Sequence, residues 1–98
     1  MKKTKIKVTP WDTAELLETA EDVKAYLSYT FEEGDPEMIK VAIKNVLRSK
    51  GMAEIARKMK TTRTNLNKAF SNVGNPSFRS TITALDHVGI TLQPKARA

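Results

Sequence analysis

Apolar residues recur at three- and four-residue intervals along most of this chain, and each run is bounded by residues that start or stop helices. Val23, Tyr26, Leu27 and Thr30 share one face of a predicted helix that begins after the capping pair Thr19 and Asp22 and ends at Gly34. Asp35-Pro36-Glu37 then supplies a cap, a proline for the first helical position and a carboxylate for the first turn. Ile39, Ala42, Ile43, Val46 and Leu47 form the inward stripe of that helix. Lys40, Lys44, Arg48 and Lys50 are assigned to its other face or its carboxyl end, and Gly51 stops it. Ser71 to Pro76 is a turn-rich loop without apolar period. Ser77 caps a last helix in which Phe78, Ile82, Leu85 and Val88 recur, closed by Gly89. Phe70 and Phe78 are read as core or interface residues.

The two ends are less regular. Trp11 to Leu17 reads as a short helix, with Asp12 as its cap and Glu15 three residues on. Residues 1–10 form either an edge strand or a disordered arm. Ile90 and Leu92 alternate with Thr91 and Gln93 before Pro94, a short strand or an extended tail. The expected fold is therefore all-α, a repressor-like helix-turn-helix bundle of five to six helices with a short C-terminal extended segment.

Between Gly51 and Ser71 the pattern becomes more specific. Met52 to Phe70 has the spacing of a helix-turn-helix: Ala56 is the small residue where two helices cross, Ile55, Met59 and Leu66 surround it, and Ala69 closes the second helix. That second helix has almost no acid and many hydrogen-bonding side chains. Thr62, Arg63, Thr64, Asn65 and Asn67 are candidates for base edges in a DNA major groove, with Arg63 suited to guanine and Asn65 or Asn67 to adenine. Lys58, Lys60, Lys68 and Arg79 are candidates for phosphates.

Composition narrows the alternatives. At 98 residues with 40% hydrophobic content, the chain can build one small core. It lacks cysteine and has a single histidine, His87, which excludes disulfides and thiolate metal sites and leaves no metal cluster to assemble. No glycine-rich phosphate loop or activated nucleophile is legible, so neither an enzyme nor a cofactor is expected. There is no apolar run of about eighteen residues, and the basic start is followed by charged sequence, so a cytoplasmic protein is expected.

The net charge of +6 is unevenly distributed. Residues 1–11 carry four lysines and no acid, residues 12–37 carry nine acids against Lys24 alone, and residues 38–98 carry twelve Lys and Arg against Glu54 and Asp86. The last block coincides with the helix-turn-helix and suits a phosphate backbone. The acidic block would repel DNA and suits a basic protein instead. The chain thus divides into residues 1–34, an arm with acidic helices, and residues 35–98, the DNA-binding part.

The residues resemble a known family. The Asp35-Pro36 helix start, the run Gly51 to Arg57, the segment Leu66 to Phe70, the loop Gly74-Asn75-Pro76-Ser77-Phe78 and the closing Leu85 to Leu92 are similar to addiction-module antidote (antitoxin) proteins of the HigA-like kind, which carry a Cro/repressor-type helix-turn-helix domain. Tyr26-Leu27 in the preceding helix also fits. The sequence departs from the pattern at Lys60, where the turn usually has glycine in a left-handed conformation, and at Asn67, where tyrosine is frequent. The resemblance implies an antitoxin that binds and blocks a small, basic, RelE-like ribonuclease toxin and represses its own operon by binding operator DNA; a homodimer is expected because one recognition helix covers a single half-site. Asp12, Glu15, Glu18, Glu21, Asp22, Glu32 and Glu33 would then steer the toxin, with Trp11, Leu16 and Leu17 as apolar anchors; Trp11 equally suits a core plug. A stand-alone phage-type repressor is the alternative, and an adaptor that no longer touches DNA is a third reading.

Overall fold

The computed structural model describes residues 16–96. Five α-helices follow in order: α1 (Ala20–Glu33), α2 (Pro36–Lys50), α3 (Met52–Lys58), α4 (Arg63–Ala69) and α5 (Phe78–His87). Among the described residues there is no strand, and residues 90–96 have no regular structure. The all-helical expectation holds. The expected arm 1–10 and most of the expected helix Trp11–Leu17 lie outside the described residues.

Local chemistry accounts for the boundaries. Thr19 and Asp22 form a reciprocal capping box at the start of α1: the Asp22 N–H donates to Thr19 Oγ1, and the Thr19 N–H donates to Asp22 Oδ2, each at 3.0 Å. A further donation from the Glu18 N–H reaches the same oxygen. The Thr19 and Glu18 amides on the carboxylate hold the Asp22 pKa below its ordinary value. The other end of α1 closes with Gly34 at φ 79°, its N–H donating to the Thr30 carbonyl. Asp35 caps α2 by accepting from the Glu37 N–H, with Pro36 at the first position. Gly51 then serves as the carboxyl cap of α2 and the amino cap of α3 at φ 106°, a conformation that disfavours any residue with a Cβ. Ser77 caps α5 through the Ser80 N–H. At its far end, Gly89 at φ 82° donates to Asp86 while Ile90 donates to Leu85, which is the Schellman pattern.

One buried cluster joins all five helices. It comprises Val23 and Leu27 of α1; Ala42, Ile43, Val46 and Leu47 of α2; Met52, Ile55 and Ala56 of α3; Leu66 of α4 with Phe70 just after it; and Ala84 and Leu85 of α5. Leu17, Tyr26, Ile39, Met59, Ala69, Val88 and Ile90 pack at its margin. The boundary expected at residue 34 falls on the α1–α2 turn, and the cluster runs across it. Thr30, the buried polar residue among those described, donates its hydroxyl to the Tyr26 carbonyl at 2.9 Å, and the Tyr26 hydroxyl accepts from Asn45 Nδ2 at 2.9 Å. Both groups are satisfied where an unpaired one would be costly.

One sequence expectation is narrowed and another fails. Of the two roles expected for Phe78, core or interface, the core is excluded: it is 79% exposed. It is the first residue of α5, and a helical side chain leans toward the preceding turn, which does not exist there. Lys40, placed by periodicity on an outer face of α2, is largely withdrawn from solvent. Its ammonium donates to the carbonyls of Gly74 at 2.7 Å and Asn72 at 3.2 Å, and it pairs with Glu37 at 3.2 Å. The apolar period of α2 does not register the loop that later folds over it.

Candidate functional site

The segment between α3 and α4 has a definite turn. α3 ends with Lys60 donating to the Arg57 carbonyl at 3.1 Å and Thr61 donating to the Ala56 carbonyl at 2.9 Å, the same six-to-one closure seen after α5. Lys60 sits at φ 61°, the position that favours glycine, as the departure in the sequence led one to expect. A non-glycine residue there carries about 1 kcal/mol of strain. Replacing Lys60 with glycine is therefore expected to raise the unfolding free energy by up to about 1 kcal/mol, measured by urea titration. A fall in stability would show that the lysine side chain contributes more than its backbone costs.

Thr62 opens α4, its Oγ1 accepting from the Asn65 N–H at 3.0 Å. The inward side of α4 rests on Leu66, which is 3% exposed, and on the half-buried Ala69. Arg63, Thr64, Asn65, Asn67 and Lys68 are all exposed, as is Thr62, and the first turn contains no acid. The candidate base-reading residues Arg63, Thr64, Asn65 and Asn67 are therefore exposed on one short helix, while Thr62 caps its start. Arg63 and Asn67, four residues apart, line an open cleft together with Arg48, Gly51, Met52 and Ala53. Arg48 was not a candidate from sequence. It comes from the last turn of α2 and lines the cleft with residues of α3 and α4, which follow α2 through Gly51; only its place three residues before that glycine hinted at this.

The candidate phosphate contacts are more dispersed. Lys58 is exposed and pairs with Glu54 at 3.5 Å, so part of its charge is already matched. Lys60 projects from the turn, and Lys68 lies in the last turn of α4. Arg79 is exposed but belongs to the first turn of α5, a separate element.

A close contact fixes the far end of α4. Gly74 lies against the Lys68 and Ala69 carbonyls, leaving no room for a Cβ, while its own carbonyl accepts from Lys40. The Ser71 hydroxyl donates to the Lys68 carbonyl at 2.8 Å. The loop after α4 is thereby pinned to α2 and to the carboxyl end of α4 together.

The acidic side is built on and before α1. Glu18, Glu21, Glu32 and Glu33 are exposed, whereas Asp22 is committed to the cap. Leu16 is 65% exposed and Leu17 packs at the core margin. Glu32 accepts from Lys95 at 2.9 Å, so the C-terminal segment returns to α1. Trp11, Asp12 and Glu15 lie outside the described residues. Among the described residues no group of His, Asp or Glu is placed to hold a metal ion, and no helix is long and apolar enough to cross a membrane.

Five helices, two of them short and joined by a tight turn with an outward polar face, make a small all-helical bundle, and this architecture is consistent with a helix-turn-helix-like arrangement. A family model described as a probable addiction module antidote protein matches residues 7–96, and the chain belongs to that family. It is also similar to an uncharacterized protein of Haemophilus influenzae strain Rd, 31% identical over 83 residues that cover 85% of this chain and 86% of the relative. No solved structure matches. Membership makes the chain an antitoxin in the general sense, one partner of a toxin.

Proposed function

We propose that this antidote works as a binding protein rather than an enzyme, that it neutralises a small basic RelE-like ribonuclease toxin through residues 1–34, and that it represses its own operon through residues 35–98. The outward, acid-free face of α4 is the observation that carries the DNA half of this reading. A polar helix face of this composition, beside a lysine-bearing turn and the Arg48–Arg63–Asn67 cleft, matches the groove edges and phosphates of a duplex. The toxin half rests on family membership and on the concentration of acid in residues 12–37. Two copies are needed to read two half-sites about 34–36 Å apart, so the operator-bound form is a homodimer acting in the cytoplasm.

Co-expression with a small basic protein encoded beside this chain tests the toxin half: a stable complex and restored growth support it, and the absence of such a neighbour or complex favours the stand-alone repressor. The DNA half is tested by substitution. Arg63→Ala is expected to cost about 1–3 kcal/mol on the specific operator and little on random duplex, whereas Lys68→Ala should weaken both alike and lower the salt slope by about one. Equal losses for Arg63→Ala on both duplexes would remove Arg63 from base readout.

A further inference from the structure

α1 packs chiefly against α2 through Val23, Leu27 and Thr30. At 100° per residue, Glu21, Ala25, Tyr29 and Glu32 run along the opposite side at four-, four- and three-residue intervals, with Glu33 one turn beyond Tyr29. All five are exposed. The two tyrosines of the chain have different surroundings. Tyr26 is half-buried and its hydroxyl is occupied by Asn45, whereas Tyr29 is 68% exposed. A bare aromatic beside a small residue, rimmed by carboxylates, has the anatomy of an interface anchor: a large rigid side chain at the centre and charge at the edge.

The occupant follows from charge. Nucleic acid and anionic membranes are repelled by Glu21, Glu32 and Glu33. A second copy docking by two-fold symmetry would set this face against itself, acid against acid. A basic protein is attracted, and the chain already supplies an internal example: Glu32 takes the ammonium of Lys95 at 2.9 Å. We propose that the outward face of α1 is the docking surface for the basic toxin partner and that Tyr29 is its anchor. This deepens, and rests on, the reading that residues 1–34 engage a basic toxin.

The test uses the full chain and the small basic protein that co-purifies with it, titrated at two salt concentrations. Tyr29→Ala is expected to weaken the complex at least tenfold with an unchanged salt slope and an unchanged melting temperature of the free chain, while Tyr29→Phe keeps most of the affinity. The double variant Glu21→Lys, Glu33→Lys should slow association and flatten the salt dependence. Hydrogen exchange of residues 21–33 should slow in the complex. Binding of Tyr29→Ala within twofold of the parent, or unprotected α1 amides, overturns the proposal even when the charge variant is impaired, and that combination leaves the basic-partner reading standing. If neither the Tyr29 nor the charge variant affects binding, the α1 docking surface falls, and the reading that residues 1–34 engage the toxin falls with it only if amides 16–33 also stay unprotected in the complex.

Discussion

Replacing Phe70 with alanine is expected to lower the unfolding free energy by about 3–5 kcal/mol. Among the described residues, Phe70 is the largest of the fully buried side chains, 1% exposed. It follows α4 directly, where its N–H donates to the Leu66 carbonyl at 3.4 Å, and it joins the cluster formed by α2, α3 and α5. A domain of this size has roughly 5–10 kcal/mol in total, so one cavity of this kind removes a large share. Chemical denaturation with far-UV circular dichroism measures it. Loss below about 1 kcal/mol would mean that the neighbouring side chains collapse into the space, contrary to the dense packing around Leu47 and Leu85.

A comparable loss is expected from adding a single carbon at Gly74. The Cβ of an alanine there falls inside contact distance of the Lys68 and Ala69 carbonyls, and these atoms are backbone, which cannot rotate aside. The loop must move, drawing the Gly74 carbonyl from Lys40 Nζ and leaving a mostly buried ammonium short of an acceptor. Overpacking of this kind costs about 3 kcal/mol, or roughly 12–24 °C in melting temperature for a domain near 100 residues. Gly34→Ala provides the contrast, since a Cβ there meets nothing within 4 Å and only the left-handed backbone is penalised, by about 1 kcal/mol. Equal thermal shifts for the two variants would refute the steric account of Gly74.

What was legible in the sequence is what is decided locally. Thr19 with Asp22, Asp35 with Pro36, Ser77 and Gly89 all act within four residues of themselves, and each sits where its chemistry placed it. The inward stripes of α1 and α2 were legible for the same reason, since a helix repeats its own geometry. Even the strain at Lys60 could be anticipated from its place in the turn. The failures lie where distant segments meet. Lys40 finds its acceptors 32 and 34 residues along the chain, and no period within α2 encodes them. Phe78 continues the spacing of Ile82 and Leu85 past the point where there is anything beneath the helix. Arg48 lines one cleft with Arg63 and Asn67, which belong to a different helix, and no period within α2 encodes that meeting. Tyr29 breaks no helical rule by standing exposed, so the sequence places it off the inward face that carries Tyr26 but does not give it a role.

The single-residue joint at Gly51 bears on assembly. α2 and α3 share that residue as their common cap, with no linker between them. A flexible tether would let the two ends of the molecule wander by about 5–6 Å times the square root of its length; here there is no slack at all. On the proposed reading, a body seated on α1, carried by α2, would therefore be held like a load on a bracket at a fixed attitude to whatever α4 gripped. On a DNA site with several adjoining copies, crowding or mutual support between such loads would be decided by the phase of the double helix, changing with every added base pair.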